Sequence, residues 1–255
     1  MKNWLAALPV YNEVDYVDDV LTEVRKYADN VLVVDDGSSD GTAEKLRGWK
    51  DDVEVIRHPT NLGYGAALKS AFQHAIQEGY EYLITLDCDG QHQPKRIPRF
   101  VAAAAGNDCG GADIVSGSRY LRQYEGDDAP PSERLFINRR ITRTLNTTLR
   151  LSLTDTFCGF KAYRVSALAQ LDIQDDGYAM PLELWVQAAM RGMKIIEIPV
   201  PLIYLDLARS FGGVLDEAET RLRYYNEIIE NSIRRMQDLG FCLPDDRSAC
   251  QGISQ

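Results

Sequence analysis

The chain has 255 residues, of which 45% are apolar and 26% are charged, and its formal net charge is −10. A chain of this length buries about 70 to 75% of its unfolded surface when it folds as one large domain. The negative charge disfavours nucleic acid as a partner and gives no bulk attraction to an anionic membrane. No window approaches the roughly 18 to 20 apolar residues that are needed to cross a bilayer.

The sequence also bears on the compartment of the protein. The apolar stretch at the start of the chain is too short for a secretory signal. Five cysteines without C-x-x-C spacing favour reduced thiols and argue against structural zinc. We therefore expect a cytoplasmic protein, with peripheral contact to the inner face of the membrane as an open alternative.

Apolar runs and amphipathic segments alternate along the first part of the chain. The β-branched run VLVV, residues 31–34, is typical of a strand that is buried on both faces of a parallel sheet. Such alternation indicates an α/β fold with a Rossmann-like, mostly parallel sheet flanked by helices. The predicted strands lie near residues 4–10, 30–36, 53–57, 80–87 and 112–117, and the predicted helices near residues 14–28, 40–48, 64–78 and 95–105.

Polar segments follow each of the first four predicted strands. They are LPVYNE (residues 8–13), DDGSSDGT (35–42), NLGYGAA (61–67) and DCDGQHQP (87–94). In an open α/β sheet the ligand crevice lies outside the carboxyl ends of the strands, so the four segments are expected to converge on one site. Glycines in the third segment allow the backbone to approach a ligand closely.

The fourth segment contains two carboxylates, Asp87 and Asp89, at the end of an apolar strand. The alternation of side chains along a strand aims both at the same space, where hard oxygen ligands hold a divalent cation against substrate phosphates. An isolated pair would equally fit an acidic turn that leads into Gly90. The three segments upstream favour the metal-binding interpretation and, with it, nucleotide-sugar chemistry.

A helical segment over residues 133–150 is unusually rich in arginine for an acidic protein. It carries Arg134, Arg139, Arg140, Arg143 and Arg150. These arginines either form a solvated helix face or, with Arg119, hold an anionic acceptor such as a lipid phosphate, because guanidinium groups bind phosphate bidentately.

The C-terminal region has a helical pattern of its own. Beyond Gly213, apolar residues recur every three to four positions up to Met236, which predicts one amphipathic helix of about 24 residues. This helix either docks on the domain core or on a second subunit, or lies at a membrane surface through Arg221, Arg223, Arg234 and Arg235. We expect a catalytic domain over residues 1–210, the helix within residues 211–240 and a disordered tail over residues 241–255, and an oligomer is compatible with this arrangement.

The motifs together resemble a known family. P-x-Y-N-E (residues 9–13), DDGSSDGT (35–42), N-x-G-x-G-A (61–66), D-x-D-x-Q (87–91) and GSR (117–119) are similar to the motifs of family 2 glycosyltransferases of the GT-A fold. Within that family the chain most resembles dolichol-phosphate mannose synthases and bacterial polyprenyl-phosphate glycosyltransferases. The segments TDTFCGFKAYR and GYAMPLELW are also similar to blocks of that group, so the resemblance extends over about residues 4–205.

The resemblance implies metal-dependent, inverting transfer of a hexose from a GDP- or UDP-sugar to a polyprenyl or dolichyl phosphate, with Mg²⁺ or Mn²⁺ as the cofactor. The residues that would frame the nucleotide sugar are Pro9, Tyr11, Asn12, Glu13, Asp36, Gly37, Ser38, Gly63, Asp87 and Cys88, although the side chain of Cys88 is expected to point away and pack. The implied metal ligands are Asp89 first, with Asp87 and Gln91, and the implied acceptor-binding residues are Arg119, Arg139 and Lys161.

The nature of the acceptor decides which groups carry out catalysis. A phosphate is already ionised at neutral pH and needs only positioning by Arg119, whereas a hydroxyl needs a general base, for which Glu183 and Asp155 are the candidates. His92 is a further candidate for contact with phosphate or metal-bound water. The predicted catalytic residues are therefore Asp89, Arg119, Glu183 and Asp155.

Three other interpretations remain open. Transfer to the hydroxyl of a soluble or glycan acceptor is the alternative within the class, and an inactive nucleotide-sugar-binding scaffold subunit is the alternative from another class. A nucleotidyltransferase is disfavoured because the loop after the first strand lacks a glycine-rich, lysine-bearing pattern. Lipid-phosphate synthases tend to carry a serine and a lysine in a loop after the last strand, whereas Arg209 and Ser210 here provide the serine without the lysine. Either Arg209 serves in closure over the diphosphate, or the acceptor differs.

Overall fold

The structure, a computed structural model, describes residues 3–106, 111–205 and 217–244. The predicted strands and helices are found in the predicted order, and their ends differ from the prediction by up to three residues. The strands in these ranges are β1 (Trp4–Val10), β2 (Val31–Asp35), β3 (Glu54–Arg57), β4 (Tyr82–Thr85), β5 (Ile114–Ser118), β6 (Lys161–Arg164) and β7 (Ile195–Pro199). The helices are α1 (Val17–Arg25), α2 (Thr42–Arg47), α3 (Tyr64–Gln77), α4 (Ile97–Ala105), α5 (Ser132–Leu149), α6 (Val165–Leu168), α7 (Met180–Arg191) and α8 (Ala218–Asp238).

The strands form one sheet in the order β3-β2-β1-β4-β6-β5-β7. β6 runs antiparallel to its neighbours β4 and β5, and the other ladders are parallel. The predicted α/β fold with a mostly parallel sheet flanked by helices is therefore confirmed. Because β1 lies between β2 and β4, the segments that follow these three strands emerge side by side at one edge of the sheet.

The sheet separates two apolar layers. Strand β2 is buried along its whole length, with Leu32 and Val34 facing one layer and Val31 and Val33 facing the other. Helices α3, α5, α7 and α8 contribute to the first layer, and α1 and α4 to the second. Burial on both faces explains why β2 begins with a continuous apolar run of mostly β-branched residues.

Helix α8 begins at Ala218 and packs on α5 and α7 through an apolar stripe. Tyr225, Ile229 and Met236 are buried in the larger core cluster. The described helix is therefore docked on the domain. The predicted start of the helix lies outside the described residues, as do Arg209, Ser210 and the predicted tail from residue 245 onwards. The first residues of the predicted tail are described, and Phe241 and Leu243 pack against the larger core cluster, so the disorder expected over residues 241–244 is not found.

None of the helices within the described ranges is long and apolar enough to cross a membrane. Cys88 and Cys158 are buried free thiols. Cys242 is disulfide-bonded. The expectation that all the cysteines are reduced is therefore wrong for Cys242.

Candidate active site

A cleft of about 640 Å³ lies beside the loops that follow β1, β2 and β4. All four predicted polar segments contribute to its wall, as expected for the carboxyl edge of an open α/β sheet. The predicted site residues that line it are Pro9, Tyr11, Asn12, Glu13, Asp36, Gly63, Asp87, Cys88, Asp89, Gln91 and Arg119.

The loops after β1 and β2 are joined by reciprocal hydrogen bonds. The backbone N–H of Asn12 donates to Oγ of Ser38 at 2.9 Å, and Oδ1 of Asn12 accepts from the N–H of Ser39 at 2.9 Å. Asn12 has a left-handed φ of 55°, a conformation that asparagine tolerates better than most residues. Ser38 therefore braces the loop from behind the cleft wall.

Gly37 is also behind the wall, and its conformation explains why glycine is required. Its φ is 75°, and a Cβ at this position would lie 2.4 Å from the carbonyl carbon of Thr60. The structure thus places Gly37 and Ser38 as supports of the loops that line the cleft and not as part of its described lining.

Asp36 organises the glycine-rich loop that precedes α3. Its Oδ1 accepts from the N–H of Leu62 at 2.9 Å, and its Oδ2 accepts from the N–H of Gly63 at 2.8 Å. Oδ1 also lies 2.6 Å from Nδ1 of His58, whose other ring nitrogen bonds to Ser70. Asp36 lines the cleft and at the same time fixes the backbone of the opposite loop.

Asp87 and Asp89 both line the cleft with partly exposed carboxylates. The hydroxyl of Tyr64 donates to Oδ1 of Asp87 at 3.0 Å, and the N–H of Gln91 donates to Oδ1 of Asp89 at 3.0 Å. The intervening Cys88 is only 1% exposed and packs in the smaller core cluster, as expected for a side chain that points away. The pair therefore presents carboxylate oxygens to the cleft.

His92 lies against Asp87 on the protein side. Burial lowers the pKa of His92, and the neighbouring carboxylate of Asp87 opposes this effect. However, the backbone N–H of Asp87 donates to Nδ1 of His92 at 3.0 Å, and a doubly protonated ring has no acceptor for this bond. We therefore assign a neutral ring with its proton on Nε2, so His92 supports the Asp87 backbone and is not part of the described cleft lining.

Arg119 is held in the cleft wall by a buried carboxylate. Asp155 is fully buried and accepts from Nε of Arg119 at 2.7 Å, from Nη2 at 3.0 Å and from the amide of Asn138 at 2.8 Å. Burial would raise the pKa of Asp155, but Arg119 and Asn138 lower it to about 2. The carboxylate stays charged and fixes the orientation of the guanidinium group.

A family model described as glycosyl transferase family 2 matches residues 6–172, which is more than half of the chain. The chain belongs to glycosyltransferase family 2. It is therefore a glycosyltransferase, and the family resemblance of its motifs is confirmed.

Two curated relatives align with most of this glycosyltransferase. An undecaprenyl-phosphate mannosyltransferase from Micrococcus luteus is 32% identical over 224 residues, which cover 84% of this chain and 90% of the relative. A polyprenol monophosphomannose synthase from Mycolicibacterium smegmatis is 29% identical over 220 residues, which cover 81% of this chain and 79% of the relative.

Solved structures share the fold of this glycosyltransferase. A glucosyl-3-phosphoglycerate synthase from Mycobacterium tuberculosis, in complex with Mn²⁺, UDP and phosphoglyceric acid, superposes with a TM-score of 0.67 at 17% identity, covering 91% of this chain and 78% of that one. S. aureus TarS 1–349 in complex with UDP-GlcNAc superposes with a TM-score of 0.53 at 16% identity, covering 91% of this chain and 72% of that one.

Glu183 does not line the cleft of the glycosyltransferase. Its buried carboxylate accepts from the N–H groups of Gln174 at 2.8 Å and Asp175 at 2.9 Å, and it pairs with Arg235 at 3.0 Å. A general base must reach the acceptor proton, and this carboxylate is instead used to hold the loop before α7 and to anchor α8. The geometry therefore argues against the predicted role of Glu183 as a base.

Three more of the predicted site residues do not line the described cleft. Asp155 is excluded from the described cleft lining and engaged by Arg119, which leaves it unsuited to act as a base. Lys161 is buried beneath the site, where its ammonium group donates to the carbonyl of Cys158, and burial lowers the pKa of Lys161. Arg139 is exposed on α5 and does not line the cleft.

The structure adds Tyr64, Tyr178 and Arg221 to the site, and it places Arg134, one of the arginines considered above for an anionic acceptor, in the cleft wall. Tyr64 stacks on Tyr178 with ring centroids 5.8 Å apart, and both line the cleft. Arg134 from α5 and Arg221 from α8 also line it. The sequence carries a signal for Arg221, because it lies four residues before Tyr225 on the apolar stripe of α8, where a solvated arginine would be out of place.

Proposed function

We propose that this glycosyltransferase transfers a hexose, with inversion at the anomeric carbon, from a nucleotide diphosphate sugar to a polyprenyl phosphate. The observation that carries the proposal is the distribution of charge in one cleft. The loops at the strand ends supply carboxylates, whereas the later elements supply the guanidinium groups of Arg119, Arg134 and Arg221. The names of the two relatives support polyprenyl phosphate as the acceptor and mannose as the first sugar to test.

The donor end of the cleft is the part formed by the loops after β1, β2, β3 and β4. Pro9 and Tyr11 offer apolar surface there, and Glu13 offers a hydrogen-bond acceptor, which together suit a neutral planar base and a ribose. The loop that contains Gly63 is fixed by the carboxylate of Asp36. These loops are held by one another, so the donor end is organised in the protein before substrate binds.

The residues at the donor end fit the proposed Mg²⁺ or Mn²⁺. Asp87, Asp89 and the amide of Gln91 offer oxygen atoms, and such ions are commonly held by one or two carboxylates together with substrate phosphates and water. No cluster of three or more His, Cys, Asp or Glu suited to a metal occurs among the described residues, so the proposed ion would also need oxygen ligands from the donor phosphates and water. When bound, the ion neutralises the charge that grows on the departing diphosphate.

The acceptor end of the cleft is the part formed by Arg119, α5 and α8. The carboxylates that line the described cleft are Glu13, Asp36, Asp87 and Asp89, and all of them belong to the loops after β1, β2 and β4. Within the described residues, no carboxylate lines the acceptor end itself. Glu133 lies nearby, but it is paired with Arg221 and is not part of the lining. A hydroxyl acceptor needs a general base, whereas a phosphate monoester is ionised at neutral pH.

Positioning is therefore the main task of the protein at the acceptor end. Arg119 stays charged and oriented because Asp155 holds it through two hydrogen bonds. In the reaction, a phosphate oxygen of the acceptor attacks the anomeric carbon from the side opposite the leaving group. The bond between that carbon and the diphosphate breaks, and its electron pair leaves with the nucleoside diphosphate. A polyprenyl acceptor resides in a bilayer, so the proposal includes peripheral membrane contact.

The test is transfer of labelled sugar from a panel of GDP- and UDP-hexoses to a polyprenyl phosphate in detergent, with Mg²⁺, Mn²⁺ or EDTA. Label in the lipid phase with one donor, abolished by EDTA, is the expected result. Transfer to a glycan or an alcohol instead would contradict the phosphate acceptor. Donor binding without transfer or hydrolysis under any condition would identify an inactive scaffold subunit.

A further inference from the structure

Helix α8 contributes a charged side chain to the acceptor end of the cleft. Arg221 lies in the first turn of α8, its side chain is only 3% exposed, and it lines the cleft together with Tyr225. Its guanidinium group pairs with the carboxylate of Glu133 in the first turn of α5. The next residue of α5, Arg134, lines the same cleft. The acceptor end is therefore lined by two arginines that come from different helices.

We propose that Arg221 recognises the anionic group of the acceptor and that Glu133 occupies its guanidinium group until the acceptor binds. This inference rests on the proposed function and names the residue of α8 that selects a phosphate over a hydroxyl. A buried guanidinium is costly unless it is paired, and Glu133 provides one pairing carboxylate in the free protein. Guanidinium groups bind phosphate with the same forked geometry that they use for carboxylates.

The exposure of the two partners differs in a way that fits an exchange. The side chain of Arg221 is 3% exposed, whereas that of Glu133 is 51% exposed. Glu133 is therefore able to swing into solvent at little cost, while Arg221 remains in the cleft wall to receive the incoming anion. A second ion pair of α8 joins the partly exposed Arg235 to the buried Glu183, and it lies away from the described cleft lining.

The surroundings of Arg221 match an amphiphilic acceptor. Ile137, Phe157 and Tyr225 line the cleft beside the arginines and offer apolar surface. A phosphate attached to a prenyl chain has a charged head and an apolar tail that these two kinds of surface accommodate together. The burial of Arg221 also strengthens each charge-assisted hydrogen bond made by its guanidinium group.

The experiment uses the opposite charges of the pair. Arg221→Gln is expected to raise the KM for a short-chain polyprenyl phosphate by about tenfold, the loss expected for a charge-assisted hydrogen bond. Glu133→Gln is expected to lower this KM, because glutamine keeps an oxygen acceptor for Arg221 but removes the charge that repels phosphate. Arg223→Gln is the matched control, since Arg223 lies on the exposed side of the same turn of α8. The KM for the donor is measured in each variant.

A purely structural ion pair gives a different pattern. Both pair variants would then raise the KM for the acceptor, and the KM for the donor would rise with it, which would overturn the inference. An acceptor KM in Arg221→Gln equal to that of the control would overturn it as well.

A binding measurement distinguishes failure of this inference from failure of the proposed function. If the wild-type protein transfers no sugar to polyprenyl phosphate, calorimetry with the same polyprenyl phosphate and with inorganic phosphate tests Arg221 directly. Binding that is lost in Arg221→Gln and kept in Arg223→Gln supports the inference, and its dependence on the prenyl chain separates a lipid phosphate from free phosphate. Binding that is equal in the two variants, or missing in the wild type, overturns it.

Discussion

Gly159 packs directly against the carboxylate of Asp87, which makes it a sensitive probe of the donor end. A Cβ added to Gly159 would lie 2.3 Å from Oδ2 and 2.5 Å from Oδ1 of Asp87, whereas ordinary contacts begin at 3.4 Å. In Gly159→Ala the carboxylate must therefore move by about 1 Å, a displacement that commonly costs an enzyme about a hundredfold in rate. We expect kcat/KM to fall by about this factor.

The same substitution should leave the fold intact. Gly159 does not have a left-handed φ, so alanine fits its backbone conformation. The atoms that must move are the carboxylate atoms of Asp87, which lie at the end of a side chain beside the cleft. The free energy of unfolding should therefore change by less than about 1 kcal/mol. Loss of activity without loss of stability is the expected signature.

Gly117→Ala is the matched comparison from the neighbouring strand. A Cβ at Gly117 would lie 2.9 Å from Sγ of Cys158 and 3.0 Å from the carbonyl oxygen of Phe160, and these buried groups have no cleft to move into. Overpacking of this kind should lower the free energy of unfolding by about 1 to 3 kcal/mol.

Three measurements on both variants separate the outcomes. They are kcat/KM for the donor, the affinity for Mn²⁺ in the presence of donor by calorimetry, and urea unfolding. Wild-type activity in Gly159→Ala would show that the position of Asp87 is unimportant. A loss of unfolding free energy in Gly159→Ala as large as that in Gly117→Ala would also contradict the prediction, because it would show that the Asp87 carboxylate cannot move aside.

Three further substitutions test other parts of the site. Asp89→Ala should abolish the rise in unfolding temperature caused by donor with Mn²⁺, because an ion ligand is lost; a thermal shift equal to that of the wild type would contradict the metal assignment. Asp155→Asn should lower the free energy of unfolding by roughly 3 kcal/mol at pH 7, because the largely buried Arg119 loses the fully buried carboxylate that balances its charge. The fold lowers the pKa of Asp155 to about 2. The extra stability of the wild type over Asp155→Asn is therefore fully present above about pH 4 and decreases as the pH falls toward 2. A difference in the free energy of unfolding between the two proteins that is the same at pH 7 and pH 3, measured by urea titration, would be evidence against the pair. Tyr64→Phe removes the hydroxyl that donates to Asp87 and should lower kcat/KM by about tenfold; kinetics identical to the wild type would rule out this positioning role.

The sheet and the donor end were accessible from the sequence because their signals are local. The buried run of β2 and the polar turn after it are adjacent in the chain, and the order of strands in an α/β fold brings such turns together. Strands β6 and β7 were not predicted. Strand β6 inserts antiparallel between β4 and β5, a pairing between distant segments that no local pattern in the sequence indicates.

The acceptor end was less accessible because its contacts join residues far apart in the chain. Asp155 and Glu183 lie in family-like segments, and the sequence identifies them as carboxylates near the site. Only the structure shows that Asp155 forms an ion pair with Arg119 and that Glu183 forms one with Arg235. Arg221 reaches the cleft because α8 docks on α5 and α7, a placement that the helical pattern left open.

The central claim is that one cleft joins a nucleotide sugar to a phosphate without a base at the acceptor end. The most direct measurement offers the protein a labelled donor, Mn²⁺ and equal concentrations of a polyprenyl phosphate and the corresponding polyprenol. The products are identified by mass spectrometry and by the anomeric coupling in NMR spectra. The account predicts a glycosyl phosphate whose anomeric configuration is opposite to that of the donor. A glycosylated alcohol, or a product with retained configuration, would contradict it.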